Sequence, residues 1–143
     1  MKKVLSIKQS EIIEKWYIVD AANKRIGTLA SKVATLLMGK NNTLARSNLK
    51  PLNHVVIINS VNIDFTPKRA ITKFYKNYSG FPGGLRFTSL EDLHKKHPAF
   101  PIESAIRGML PKTKRGEEMF SNLRVYPGAD HKHTAQNPEI VNL

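Results

Sequence analysis

The sequence predicts an α/β domain, a small and mainly parallel sheet with helices on its faces, and three segments lead to it. Trp16, Tyr17, Ile18 and Val19 form an apolar run of aromatic and β-branched residues that stops at Asp20, as a buried strand does. From Ile26 the apolar residues recur as Leu29, Ala30, Val33, Ala34 and Leu37, one face of a helix, with Thr28, Ser31, Lys32 and Thr35 opposite. Val55, Val56, Ile57 and Ile58 follow without a polar break, and such unbroken β-branched strands are buried on both faces. Strand, helix and strand in this order close a right-handed crossover, so the two strands run parallel beneath the helix.

The other elements fall around this unit in chain order. Residues 1–15 form a short lead. Asn23, Lys24 and Gly27 mark the turn into the helix; Gly39 ends it, and Lys40 suits its negative C-terminal end. A basic stretch runs from Asn41 to Asn53. Ile71–Tyr75 is expected to be a further strand, with helices at Leu90–Lys96, Ile102–Leu110 and Gly116–Leu123. A short strand, Arg124–Tyr126, and a loose tail over residues 127–143 finish the chain. Ser89 with Asp92 makes an approximate capping box for the first of these helices, and Pro101 suits the first turn of the next. With 143 residues, 41% of them hydrophobic and 24% charged, the composition fits one ordinary globular domain spanning residues 1–143.

Charge is the first functional signal. Twenty-three Lys and Arg stand against eleven Asp and Glu, a formal net charge of +12. Between Asp20 and Glu91 the only acid is Asp64, while eleven bases fall in the same interval, which places +10 of the total there. Phosphates are the natural counter-charge, and the cations they release on binding drive association. A membrane surface would call for a long amphipathic helix with a basic face, and none is visible. No apolar run reaches the ~20 residues of a membrane span, and no signal peptide is recognisable at the N-terminus. Cysteine is absent, which excludes disulfides, thiolate metal sites and cysteine nucleophiles.

The segment from Lys68 to Phe87 interleaves bases and aromatics, Lys73, Phe74, Tyr75, Lys76, Tyr78, Phe81, Arg86 and Phe87, with no acid. Bases neutralise phosphates and aromatic faces stack on unpaired nucleobases, so the mixture suits a single-stranded or loop RNA. The alternative is a strand with a solvated basic face and inward aromatics. Gly80, Pro82, Gly83 and Gly84 form a turn whose backbone can approach a phosphate, yet they match neither the dinucleotide fingerprint nor the P-loop. A second cluster, Lys112, Lys114 and Arg115, follows Pro111 between two expected helices and suits a phosphate clamp, or else a solvated loop. His131 and His133 flank Lys132, an arrangement better suited to RNA contact or solvent than to zinc. Asp20 ends a parallel strand, where α/β enzymes place ligands, but it stands alone and no nucleophile elbow occurs.

Three stretches resemble the ribosomal protein L13 family: Trp16 to Ala21 with the helix through Gly39 and Lys40; Tyr75 through Tyr78-Ser79-Gly80-Phe81-Pro82-Gly83-Gly84-Leu85; and Gly108-Met109-Leu110-Pro111-Lys112. The last continues through Gly116, Met119 and Phe120 into Leu123 to Gly128, His131 and Ala135-Gln136-Asn137-Pro138, so the resemblance runs from Trp16 to Pro138. It implies a three-layer α/β/α domain around about four strands, a structural constituent of the large ribosomal subunit that binds its rRNA and supports early assembly. It implies no catalysis, no cofactor, no metal and no small-molecule substrate. The implied partners are large-subunit rRNA and neighbouring large-subunit proteins, in the cytoplasm or in an organelle that encodes its own copy. One region departs from the family pattern: Thr43 to Asn53 lacks its Tyr-Thr-Pro stretch and its acids and is more basic, so it is expected to face RNA.

The residues expected to meet RNA are Lys40, Arg46, Lys50, Lys68, Arg69, Lys73, Tyr75, Lys76, Tyr78, Gly83, Arg86, Lys112, Lys114, Arg115, Arg124, His131 and His133. A nucleotide-using enzyme would need a phosphate loop and a convergent acid–base pair, and a DNA-binding protein a helix with several bases along one face. Neither pattern is present in the sequence.

Overall fold

Four parallel strands form the sheet, in the order β5 (Leu123–Val125), β2 (Asn53–Ile58), β1 (Lys15–Asp20) and β6 (Glu139–Ile140), so that the two most apolar segments occupy its centre. The computed structural model describes residues 13–42, 49 and 51–142. β1 (Lys15–Asp20) and β2 (Asn53–Ile58) pair in register with Tyr17 opposite Val55 and Val19 opposite Ile57. Alternation along both strands then places Tyr17, Val19, Val55 and Ile57 on one face. Onto that face pack Leu29, Val33 and Leu37 of α1 (Ile26–Leu37) and Ile102 and Ile106 of α4 (Phe100–Met109), with Leu110 and Met119 closing the cluster. Ile18 and Val56, on the opposite face, are buried as well. There the Trp16 ring stacks on His54 at 4.3 Å and meets His133 at 5.1 Å between centroids. Burial of both faces is what the unbroken apolar runs predict.

The ends of α1 follow from local chemistry. Gly39 adopts φ +69°, the left-handed conformation that ends a helix at least cost in glycine. Asn53, almost wholly buried, donates from Nδ2 to the Leu36 carbonyl oxygen at 2.7 Å, so the first residue of β2 satisfies the last turn of α1.

Three expectations are corrected. Ile71–Tyr75 is not one strand: α2 (Pro67–Thr72) is a short helix, and the ladder begins two residues later in β3 (Phe74–Tyr78). Pro67 needs no amide partner at a helix start, and Thr72 Oγ1 donates to the Lys68 carbonyl at 2.7 Å, which tips this stretch into a helical turn. The fifth helix begins earlier than Gly116, as α5 (Lys114–Ser121), because the Thr113 hydroxyl caps it by accepting the Gly116 N–H. The chain after Pro127 is not loose. Asn59 N donates to the Gly128 carbonyl at 3.0 Å, and β6 (Glu139–Ile140) joins the sheet edge beside β1, where Val141 N donates to the Ile18 carbonyl at 2.9 Å. β5 (Leu123–Val125) flanks β2 on the other side.

β3 pairs antiparallel with β4 (Leu85–Ser89) in a separate two-stranded hairpin that shares no strand with the main sheet. α3 (Leu90–Lys96) follows directly, and Ser89 caps it by accepting from Asp92 N at 3.1 Å, as the capping box predicts.

Asp20, at the C-terminal end of β1, is a structural bracket. Its Oδ1 accepts from Ala22 N and from Asn59 Nδ2, each at 2.9 Å, which ties the turn after β1 to the turn after β2. The Ala22 amide first, then the Asn59 side chain, with a smaller contribution from Lys24, hold its carboxyl below the usual carboxylate range. A depressed folded-state pKa means stability that is complete above the ordinary pKa of ~4 and lost as pH falls through the folded value. Asp20→Asn is therefore expected to lose less stability than the wild type on acidification from about pH 5 to about pH 3, followed by urea unfolding. Equal losses would mean that the bracket does not depend on the charge.

Candidate nucleic-acid interface

The hairpin carries most of the expected RNA-facing residues. Its register pairs Phe74 with Ser89, Lys76 with Phe87 and Tyr78 with Leu85, so these side chains share one face; Tyr75, Asn77, Arg86 and Thr88 share the other. Phe74, Tyr78 and Phe87 are 56%, 62% and 56% exposed, and Lys76 Nζ lies 5.8 Å from the centre of the Phe87 ring. This face is aromatic, cationic and uncovered. On the other face Tyr75 turns inward, half-buried, with its ring edge-on to Phe100 at 5.7 Å and Lys73 Nζ 5.0 Å from its centre. Tyr75 thus anchors the arm to the start of α4, while Arg86 stays exposed.

The tip of the arm is built by glycine. Gly80 and Gly83 have φ of +87° and +73°, and a Cβ at Gly84 would lie 2.1 Å from Ser79 Oγ and 2.9 Å from the Phe81 carbonyl oxygen. The turn is held by Gly84 N donating to the Phe81 carbonyl at 2.9 Å, and it presents Phe81 and the bare backbone of Gly83 to solvent.

The second cluster sits at the opposite end of α4. Lys112 and Lys114 are exposed and Arg115 half-buried. Because Tyr75 meets Phe100 at the first residue of α4 and the loop leaves after Leu110, the two basic clusters are separated by ten helical residues, about 15 Å. Between Phe65 and Leu90 the hairpin region has no acid, and nothing in it neutralises Lys68, Lys73, Lys76 and Arg86.

The remaining expected residues are scattered. Lys40 is exposed just past α1, and Lys68 is exposed on α2. Arg124 is exposed but its Nη1 donates to the backbone carbonyls of Ser121 and Leu123, which fastens the end of α5 to β5. His131 and His133 are half-buried. His133 Nε2 pairs with the Tyr126 hydroxyl at 3.1 Å, and its ring packs on Trp16, so this side chain is committed to the sheet face. Arg46, Lys50 and the side chain of Arg69 lie outside the described residues, as does most of the divergent stretch from Thr43. Among the described residues no three His, Asp or Glu side chains gather in a way that could hold a metal ion.

The sequence leaves the direction of two rings open and does not single out one further participant, Arg107. Phe74 and Phe87 suit either stacking or an inward position by pattern alone, and the register places both outward. Arg107 drew no attention because it is a single base on a helix. In the fold its guanidinium lies 5.6 Å from the Phe120 ring centre, at the side of a cleft that continues to Lys112. Its position one residue before Gly108-Met109-Leu110-Pro111-Lys112 was the available signal.

The model of the family described as ribosomal protein L13 matches residues 14–132. The chain belongs to the ribosomal protein L13 family. Curated relatives called large ribosomal subunit protein uL13 align along its length. The one from Variovorax paradoxus (strain S110) is 38% identical over 143 residues, covering all of both chains. The one from Geobacillus kaustophilus (strain HTA426) is 41% identical over 143 residues, covering all of this chain and 99% of the relative. The one from Prochlorococcus marinus (strain MIT 9301) is 39% identical over 142 residues, covering 99% of each. As an L13-family member the chain is a structural ribosomal protein of the large subunit and not an enzyme. Among the described residues of this L13 chain no helix is long and apolar enough to cross a membrane.

Proposed function

We propose that this L13-family chain holds large-subunit rRNA at two places, the β3–β4 arm and the basic segment from Lys112 into the first turn of α5 at Lys114 and Arg115. It does so as one unit spanning residues 1–143, beside neighbouring large-subunit proteins, and it supports an early step of subunit assembly. The cell's cytoplasm, or an organelle that encodes its own copy, is where it acts. The observation that carries the reading is the arm. A two-stranded ribbon outside the main sheet buries little of its own surface, and one that exposes Phe74, Tyr78, Phe81 and Phe87 is a liability unless a partner covers it. The partner's chemistry follows from Lys76 among those rings, Arg86 behind them and the absence of any acid from Phe65 to Leu90: phosphates for the bases and unpaired nucleobases for the rings.

The reading is tested by gradient sedimentation of cell lysate. The tagged chain is expected to travel with the large subunit and to remain there after a wash at moderate salt, and its depletion is expected to accumulate incomplete large-subunit particles. A chain found wholly in the soluble fraction of growing cells would overturn the proposal.

A further inference from the structure

Between α4 and α5 lies a cleft of about 690 Å³, lined by Ser104, Arg107 and Gly108 on one side, Glu117 and Phe120 on the other, and Lys112 at the rim. We propose that this cleft receives one unstacked base of the bound RNA, which lies on the backbone of α4 at Gly108 and against the Arg107 guanidinium. The inference rests on the rRNA-binding reading and names a site within it.

Gly108 is the first reason. It sits in the last turn of α4 with an ordinary helical φ, and a Cβ added there would meet no atom within 4 Å. Internal packing therefore gives no reason for glycine, although glycine weakens a helix relative to alanine. Gly116, facing the same cleft, is the contrast: a Cβ there would strike the Pro111 carbonyl oxygen, so the fold itself requires it. A bare backbone that the chain does not need is explained by a partner that approaches it closely.

The lining identifies the partner. Guanidinium planes and aromatic faces are the surfaces on which unpaired bases stack, and Arg107 is already laid over the Phe120 ring. Lys112, with Lys114 and Arg115 next along the chain, stands ready for the flanking phosphates. Glu117, itself exposed, is the one acid of the lining; it disfavours a phosphate within the cleft but can accept from the amino group of a base edge. Base inside and backbone outside is the arrangement that satisfies all of these charges. The volume falls within the range of ~300–1,000 Å³ typical of small-ligand sites.

The test uses the purified full-length chain and a protein-free transcript of the large-subunit rRNA, with Gly108→Ala and Gly108→Leu beside the wild type. Both substitutions are expected to raise Tm, by roughly 2–5 °C, because the position is helical and open. Both are expected to weaken RNA binding, by about 10-fold or more for leucine and less for alanine, with the salt dependence unchanged. One nucleotide whose base is protected from chemical modification in the wild-type complex is expected to become reactive in the Gly108→Leu complex. Wild-type affinity in both variants overturns the inference and would be the result if a peptide of a neighbouring protein occupied the cleft instead. A loss accompanied by a shallower salt slope also overturns it, since the contact would then be ionic. Failure of the wild-type chain to bind the transcript removes the rRNA reading itself, and the wild-type titration separates that outcome from the others.

Discussion

Alanine at Lys112, Lys114 and Arg115 together is expected to weaken rRNA binding and to make it much less sensitive to salt, by about two to three units in the slope of log K against log salt. Each phosphate contact releases counterions and adds roughly 0.7 to 0.9 to that slope. The three bases stand within four residues. Their placement argues that they serve a partner and not the fold. Lys114 and Arg115 lie in the first turn of α5, where the helix macrodipole is positive and a base is unfavourable. Thr113, which caps α5, is untouched by the substitutions, so the triple variant is expected to be as stable as the wild type or better by a few tenths of a kcal/mol. Reduced affinity with a reduced slope and an unchanged melt is the expected triad of results. An unchanged slope would mean that these three bases are merely solvated.

The elements that the chain's own pattern made visible are those whose signal is long and whose environment is uniform. α1 is placed at Ile26–Leu37 by five apolar residues on one face, and all five are buried. β1 and β2 are apolar at every central position because both of their faces are covered, and no other arrangement suits such runs. Where the signal is short, tertiary context decides. α2 has six residues, fewer than two turns, and Ile71 within it is exposed, so its β-branched side chain suggested a strand that the ladder does not use. β6 has two residues and owes its existence to the edge of β1, more than a hundred positions earlier in the chain. No local pattern encodes that pairing.

The candidate site divides along the same line. The excess of bases and the aromatic interleaving are compositional and could be read directly, whereas the direction of each ring could not. Alternation along β3 is the same whether the ribbon is backed by a core or stands alone. Outside the main sheet, it exposes Phe74 and Tyr78 and buries only part of Tyr75, through Phe100 of a helix that begins twenty-five residues later. His133 shows the converse. His133 sits in a basic, polar stretch that suggests a ligand contact, yet it is consumed by Trp16 and Tyr126 within the fold. Charge near a residue is a property of sequence; its partner is a property of topology.

Gly116→Ala is expected to be the most damaging single methyl group in this region, costing about 3 kcal/mol and lowering Tm by roughly 10 °C. The added Cβ would lie 1.8 Å from the Pro111 carbonyl oxygen and 2.9 Å from its carbon. Both are backbone atoms in the turn before α5, so no rotamer change can relieve the clash, and the helix itself must move. That movement would strain the Thr113 cap, whose oxygen accepts the Gly116 N–H, and would draw Met119 and the half-buried Phe120 away from Ile102 and Ile106. It would also shift the start of β5 at Leu123, which follows α5 after a single residue. The comparison with Gly108→Ala makes the test internal: the same substitution on the two walls of one cleft is expected to lower the melting temperature at position 116 and raise it at position 108. Thermal unfolding of both variants beside the wild type reads the pair directly. A Gly116→Ala protein that melts within about 1 °C of the wild type would show that the turn at Pro111 yields freely and that α5 is not held against it.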